Sequence, residues 1–300
     1  MSKVDLFFEQ HEKKFYVALA VIMAAVFSIW YACNFRLQNL SSAYVSLEEG
    51  NYGKAIGLIE KPEIFQEYLF VSYAYLKMAY LKDAAGRDQL TDILLGDDSL
   101  RDTGKFAAIS AKEGYEAASR AAYKAQSLQP EDPDIYILMA FIAAANKDFN
   151  MAQVYAGEAL QYARDDTKKS QSYLCMAFVF GRKAIKLADP LDAEASYNQA
   201  VMYCRKTLYF DPKNDLSYQV MGVLMMLKKR WPEASSYFKE AQNAYYLNIK
   251  NAGFPLVFAT NKRAPLVLFN HISVGKNNEL IDYAERQSTY ESSQGVIPKE

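Results

Sequence analysis

Small residues recur at a fixed interval along this chain, and that interval restricts the possible folds more than any other feature. Ala118 and Ala152 are 34 residues apart, and Ala200 and Ala234 repeat the same step. Apolar residues in this region recur at three- and four-residue spacing, a pattern that indicates helices with one buried face. A period of about 34 residues is typical of stacked helix–turn–helix units, so we expect an α-helical solenoid.

Two stretches, Pro133 to about Asp166 and Asp215 to about Asn248, carry further residues of this period. Each has aromatic, large apolar and small residues in the same order, namely Tyr136, Met139, Ala140, Phe149, Ala152 and Ala159 in one and Tyr218, Met221, Gly222, Trp231, Ala234, Phe238 and Ala241 in the other. These residues resemble the signature of the tetratricopeptide repeat (TPR) family. The resemblance implies an all-α, TPR-like solenoid of about three to five units over residues 36–248. The alternative is a generic bundle of helical hairpins.

Proline spacing indicates where the repeat is irregular. Pro130 and Pro212 match the proline that closes a TPR unit, and the step from one to the other, which we call the proline interval, exceeds two periods of 34 residues by fourteen. We therefore expect an expanded unit with helices at Ser170–Leu187 and Leu191–Phe210. The polar residues 85–105 predict a loop insertion. The turn and second helix of a further, upstream unit are predicted from Gly50, Tyr52 and Ala55.

A TPR solenoid binds extended peptides or partner helices in a groove that is lined by the first helices of its units. The resemblance implies that the groove positions in the two stretches are Asp134, Ile137, Phe141, Ala144, Leu216, Gln219, Val223 and Met226. Members of the family that bind a C-terminal carboxylate use Lys, Asn and Arg at such positions, and this set contains none of them. We therefore expect an apolar groove that binds protein partners.

An apolar groove needs a cover in water, and the C-terminal region 249–300 offers one. Residues 253–270 contain two Pro-Leu-Val runs and are too rich in proline and β-branched residues for a helix. We predict that this segment covers the groove; the alternative is that it caps the last apolar face of the solenoid. Beyond it, residues 278–287 predict a short helix, and residues 288–300 predict a mobile polar tail.

The N-terminal region contains an uncharged, mostly apolar run from Phe15 to Phe35. As a helix, such a run spans roughly 30 Å of hydrocarbon, so we predict a transmembrane helix. The alternatives are a cleaved signal peptide, a lipoprotein signal at Cys33 and a buried core helix. Three lysines precede the run, and one arginine, Arg36, follows it closely. This bias predicts that residues 1–14 are cytoplasmic and that the C-terminal domain is periplasmic or otherwise extracytoplasmic.

Composition argues against several classes of function. The 34 Lys and Arg residues nearly balance the 35 Asp and Glu residues, which disfavours a nucleic-acid-binding protein. With two His and three Cys, and without a glycine-rich phosphate loop, we expect no metal, no cofactor and no enzymatic activity. Cys175 and Cys204 are either a disulfide across the expanded unit or two buried apolar residues.

Anchor, repeat and lack of catalytic motifs together predict a single-pass membrane scaffold or adaptor. Such a protein would bind a protein partner in the assembly or maintenance of a membrane or envelope complex, and it would itself be a subunit of that complex. The alternative is a chaperone-like client binder near a translocation site, because a short tail, one transmembrane helix and periplasmic repeats are also the architecture of the translocon-associated periplasmic chaperones.

Overall fold

The structure is a computed structural model, and it describes residues 21–23, 25, 26, 36, 38–47, 49–83, 86–88, 90–92, 106, 108–252 and 274–293. Within these ranges the chain is all-helical and contains no strand, which confirms the all-α part of the prediction. None of the helices in this part of the chain is both long and apolar enough to cross a membrane. Most of the predicted anchor, Phe15–Phe35, lies outside the described residues, and so do residues 253–270.

Short polar side chains start most of the helices. Backbone amides in the first helical turn donate to the side-chain oxygens of Ser110, Asp132, Asp148, Asp165, Asp189 and Asn214. These bonds satisfy donors that a helix leaves unpaired at its start. The helices are α1 (Tyr52–Gly57), α2 (Phe65–Lys82), α3 (Ala111–Leu128), α4 (Pro133–Ala145), α5 (Phe149–Tyr162), α6 (Asp166–Lys186), α7 (Pro190–Phe210), α8 (Asp215–Leu227), α9 (Trp231–Ala252) and α10 (Val274–Ser293).

Consecutive helices pack in pairs, α2 with α3, α4 with α5, α6 with α7 and α8 with α9. We call α2, α4, α6 and α8 the first helices of these hairpins and α3, α5, α7 and α9 the second helices. Each first helix also contacts the first helix of the next hairpin, and α10 packs against α9 at the end of the stack. The hairpins therefore form a row in which most contacts are between neighbours.

Two of the hairpins, α4–α5 and α8–α9, repeat each other at an offset of one proline interval. The Tyr136 hydroxyl donates to the Pro130 carbonyl oxygen at 2.6 Å, and the Tyr218 hydroxyl donates to the Pro212 carbonyl oxygen at 3.3 Å. Each tyrosine thus ties the start of its hairpin to the preceding turn. The two prolines that define the interval in the sequence therefore have the same role in the fold.

The turns inside these two hairpins also share one geometry. Lys147 has a φ of 63°, and the equivalent Lys229 has a φ of 56°. The next residue in each turn donates its amide back to the preceding helix: Asp148 donates to the Ala143 carbonyl oxygen at 3.0 Å, and the bond at the same place in the second turn is also 3.0 Å. A left-handed lysine stores strain that a glycine would not, and both turns accept it.

The hairpin interior shows a compensated exchange between the two repeats. Gly222 on α8 lies against the Phe238 ring on α9, so that a Cβ atom at position 222 would stand 2.4 Å from Phe238 Cε1. At the equivalent positions, one proline interval earlier, the chain has Ala140 and Ala156. The larger side chain of Phe238, compared with Ala156, is therefore accommodated because Gly222 lacks the methyl group of Ala140.

The expanded unit and the C-terminal region were predicted with different success. The helices predicted at Ser170–Leu187 and Leu191–Phe210 are present as α6 and α7, with boundaries that differ by at most four residues. The predicted short helix 278–287 is longer, and the prediction of a mobile tail is wrong for residues 288–293, which belong to α10. Contacts of Leu280, Ile281 and Ala284 with the solenoid core hold this polar helix in place.

Candidate functional site

The eight residues predicted to line the groove are all buried. None of Asp134, Ile137, Phe141, Ala144, Leu216, Gln219, Val223 and Met226 is more than 7% exposed. They lie on α4 and α8, the first helices of the two matching hairpins. A partner would reach these side chains only after other elements of the same chain had moved away.

On α4, the predicted groove residues contact the next first helix, α6. Lys168 Nζ lies 2.6 and 2.7 Å from the carboxylate oxygens of Asp134, and the rings of Phe141 and Phe178 pack with centroids 4.4 Å apart. Burial raises the pKa of Asp134, and Lys168 opposes that rise. This face of α4 therefore holds two hairpins together.

On α8, the covering element is the C-terminal helix. Asn277 of α10 is fully buried, and its Oδ1 accepts from Gln219 Nε2 at 3.2 Å. Asn277 Nδ2 in turn donates to the Phe238 carbonyl oxygen at 2.8 Å. A single asparagine thus bridges both helices of the last hairpin, and α10 covers part of the face that sequence analysis assigned to a partner.

The predicted insertion contributes a third internal contact, through residues 86–88 and 90–92. Arg182 of α6 is 1% exposed; its Nε lies 3.0 Å from Asp88 Oδ2, and its Nη2 donates to the Gly86 carbonyl oxygen at 2.9 Å. Leu90 is fully buried, and its Cδ2 would be 2.7 Å from a Cβ atom on Gly181. A glycine at position 181 therefore lets the insertion approach the helix closely. Part of the insertion packs into the molecule and is no idle surface loop.

The second helices present a different surface, which is open. Between α7 and α9, near the C-terminal end of α8, lies a cleft of about 550 Å³, a volume within the usual range of ligand sites. We call it the arginine cleft, because Arg205, Lys206 and Arg230 line it together with tyrosine and methionine side chains such as Tyr209 and Met202. Tyr209 is 80% exposed and Met202 40%.

A smaller cleft of about 210 Å³ lies between α3 and α5. We call it the tyrosine cleft, because the hydroxyls of Tyr123 and Tyr155, which line it, are 3.3 Å apart. Its lining aligns with that of the arginine cleft at the same proline interval, and the aligned pairs are Ser119 and Val201, Tyr123 and Arg205, Ala143 and Met225, Asp148 and Arg230, Met151 and Glu233, and Tyr155 and Tyr237. The two clefts are therefore the same site of the repeat with different side chains.

The electrostatics of the arginine cleft are dominated by its cations. The single carboxylate of the lining, Glu233, is already bound by Arg230, with N–O distances of 2.5 and 2.6 Å. Arg205 is exposed and forms no ion pair within the described part of the chain. Burial raises the pKa of the Tyr197 phenol, and Arg230, which hydrogen-bonds that phenol, opposes the rise. The cleft thus keeps a net positive charge.

The candidate residues for redox or metal chemistry have ordinary packing roles in the described residues. Cys175 and Cys204 are free, buried thiols, as one of the two interpretations predicted. Burial raises the pKa of both thiols, to about 12 for Cys204, so the reactive thiolate is disfavoured. No cluster of His, Cys, Asp and Glu that could hold a metal ion occurs in the part of the chain that the structure describes. His271 lies outside it.

The arginine cleft was not among the predicted sites, because the predicted binding residues lie on the first helices alone. The signal was present in the proline interval, which aligns Tyr123 with Arg205 and Asp148 with Arg230 and so reveals a local change of charge.

Compared with known proteins, the chain matches no protein-family model and no characterised protein.

Proposed function

We propose that this chain is a membrane-anchored, TPR-like scaffold without catalytic activity or cofactor. It binds a protein partner through its helical solenoid and holds that partner at the membrane, in the assembly or maintenance of a membrane or envelope complex. The observation that carries the proposal is the residue-for-residue repeat of the α4–α5 and α8–α9 hairpins, which produces equivalent clefts along one row of helices. Stacked repeats of this kind create extended surfaces for protein partners.

The anchor part of the proposal rests on the run Phe15–Phe35. The described residues within it are helical, and the side chains of Val21, Ile22, Met23 and Val26 are 59–64% exposed. Four large apolar side chains exposed on one short helical stretch are costly in water and stable in hydrocarbon. In our proposal residues 1–14 are cytoplasmic and the solenoid lies on the other side of the membrane.

Co-purification from membranes tests the scaffold. The full chain is solubilised in mild detergent, and the proteins that leave the column with it are identified and quantified. We expect one partner in stoichiometric amount. A spread of many unfolded proteins in small amounts would contradict the scaffold and favour the chaperone-like client binder.

Thiol labelling tests the anchor and its orientation. In a chain with Cys33, Cys175 and Cys204 replaced by serine, a single cysteine is added after Glu300, and intact cells are treated with a membrane-impermeant maleimide. We expect labelling without lysis and retention of the chain in the membrane pellet at alkaline pH. Labelling only after lysis would overturn the outside placement, and release into the alkaline supernatant would overturn the anchor.

A further inference from the structure

Three aligned pairs of side chains change charge between the two clefts: two make the later cleft more positive, and one, Met151 to Glu233, adds a carboxylate. Tyr123 is replaced by Arg205, and Asp148 is replaced by Arg230, while the tyrosine on the opposite wall is retained as Tyr155 and Tyr237. The later cleft therefore gains the cations Arg205 and Arg230, while each cleft has one carboxylate, Asp148 in the earlier and Glu233 in the later. Its volume is also larger, at about 550 Å³ against about 210 Å³.

Arg230 pairs with Glu233 in the first turn of α9, but it lacks the capping oxygen that its counterpart provides. Its counterpart Asp148 caps α5, because Asp148 Oδ1 accepts from the Met151 amide at 3.1 Å. An arginine cannot accept such a bond, and its positive charge meets the positive end of the helix dipole. Loss of a cap costs about 1 kcal/mol. A residue that breaks a local rule in this way is expected where a functional requirement outweighs it.

The remaining cations of the cleft, Lys206 and Arg205, are not neutralised by a carboxylate of the described residues. Lys206 Nζ lies 5.3 and 5.4 Å from the ring centroids of Tyr173 and Tyr203, which fixes the ammonium group over two aromatic faces. Arg205, on the same helix, has no carboxylate partner in the described residues. The cleft thus offers oriented, unneutralised positive charge beside the exposed apolar surface of Met202 and Tyr209.

From this combination we infer that the arginine cleft binds an acidic peptide segment whose carboxylates alternate with apolar side chains. The cations take the carboxylates, and the tyrosine and methionine surface takes the apolar side chains. Arginine, tyrosine and methionine are the side chains that protein interfaces favour, whereas a nucleic acid would require a broad basic face that a chain of net charge −1 does not have. The inference rests on the proposed function, since it names the segment by which the partner is held.

Peptide binding to the full chain in zwitterionic nanodiscs tests this inference. The probe is a fluorescein-labelled ten-residue peptide that alternates Glu with Leu, and the comparison peptide has Gln in place of Glu. We expect the Glu peptide to bind at least tenfold more tightly, because two or more charge-assisted contacts are lost in the Gln peptide. Equal binding of the two peptides would overturn the inference.

The chain provides its own matched variants. Arg205→Gln removes the unpaired cation of the arginine cleft, and Arg120→Gln removes an exposed arginine of α3 with the same change in net charge. We expect Arg205→Gln to weaken binding of the Glu peptide at least fivefold and Arg120→Gln to leave it unchanged. Arg205→Tyr, which gives position 205 the residue of the tyrosine cleft, is expected to act like Arg205→Gln. Equal effects at positions 120 and 205 would show that only net charge matters and would overturn the site.

Two further outcomes separate this inference from the scaffold proposal. If a labelled single-stranded oligonucleotide of ten residues bound more tightly than the Glu peptide, the cleft would be a nucleic-acid site and the inference would be wrong. If the Glu peptide failed to bind the unchanged chain while the partner still co-purified with that chain, the scaffold would stand and the peptide inference alone would fall. Circular dichroism of each variant shows whether the helical fold is retained.

Discussion

Single side chains decide how closely the helices of a hairpin approach. Gly222 is the clearest example, because its missing methyl group is the space that the Phe238 ring occupies. Gly157, on α5, is different, since a Cβ atom there would have only the end of Met176 nearby, at 3.8 Å. Both glycines lie in helices, but only position 222 requires a residue without a side chain.

Replacement of these glycines by alanine should change stability in opposite directions. Gly222→Ala forces the Phe238 ring to move, so we expect the free energy of unfolding to fall by about 1–3 kcal/mol. Gly157→Ala adds a helix-favouring residue without a clash and should raise it by about 0.5–1 kcal/mol. Urea denaturation of both variants measures the two changes. A stabilised Gly222→Ala chain would show that the close contact with Phe238 is not real.

The ion pair between Asp134 and Lys168 gives a prediction with a pH dependence. Burial raises the pKa of Asp134, so the ionised carboxylate is a cost to the folded state that Lys168 offsets. In Lys168→Met that offset is lost, and the pKa of Asp134 rises further. We expect a loss of about 3 kcal/mol at pH 8. Because protonation of the carboxylate relieves the cost, the loss should shrink as the pH falls towards 5.

Urea denaturation at the two pH values checks this result, with Arg164→Met as the control. Arg164 pairs with Glu131 at 2.8 Å, but both side chains are largely exposed, 81% and 65%. We expect this control to lose less than about 0.5 kcal/mol at either pH. An equal loss for Lys168→Met at pH 8 and pH 5 would contradict the assignment of the effect to the Asp134 carboxylate.

At the scale of the element, α10 shows how a polar helix is fixed by few contacts. Its apolar residues Leu280, Ile281 and Ala284 are buried, and Asn277 bonds to both helices of the last hairpin. The next residue, Asn278, has a similar bond, to Gln242 at 2.9 Å, but on the exposed side of α10. Two adjacent asparagines thus differ in burial and not in chemistry.

Alanine at these two positions should therefore have unequal effects. Asn277→Ala leaves the buried Gln219 amide without its partner and removes the side-chain bond to the Phe238 carbonyl oxygen, so we expect a loss of about 1–3 kcal/mol. Asn278→Ala exposes its partner to water and should cost less than about 0.5 kcal/mol. Thermal unfolding followed by circular dichroism compares them. If both variants unfolded at the same temperature as the unchanged protein, α10 would not be docked through Asn277.

Helices with strong local signals were predictable from the sequence, and elements held by distant contacts were not. The proline interval and the repeat period predicted the helices of the expanded unit, α6 and α7, to within four residues. The extent of α10 depends on burial against α9, which its polar composition conceals. The eight groove positions were assigned to the correct helices, but burial by α6 and α10 is a property of the assembled chain.

At the scale of the whole molecule, most contacts between helices lie within a hairpin, and most of the others join neighbouring hairpins, so disturbances should remain local. The insertion is the exception. Residues 86–92 follow α2, yet they bond to Arg182 on α6, which is 94 residues away from Asp88 in sequence. Tyr80 of α2 also bonds to this segment, because its hydroxyl donates to Asp92 Oδ1 at 2.8 Å. The insertion thus ties two hairpins that the regular repeat would connect only through α4 and α5.

Hydrogen exchange can distinguish the contacts between neighbouring helices from the contact of the insertion with α6. Arg182→Met leaves Asp88 buried beside only a distant cation, Lys186 at 4.0 Å, so we expect exchange to rise about a hundredfold in residues 86–92 and also in α2 and α6. Asn277→Ala should raise exchange in α8, α9 and α10 and leave α2 unchanged. Lys183→Met is the control, because it removes the cation that follows Arg182 in the sequence. It should leave exchange unchanged both in the region affected by Arg182→Met and in the region affected by Asn277→Ala. If Arg182→Met affected α6 alone, the insertion would not tie the two hairpins, and the solenoid would behave as a row of independent neighbours throughout.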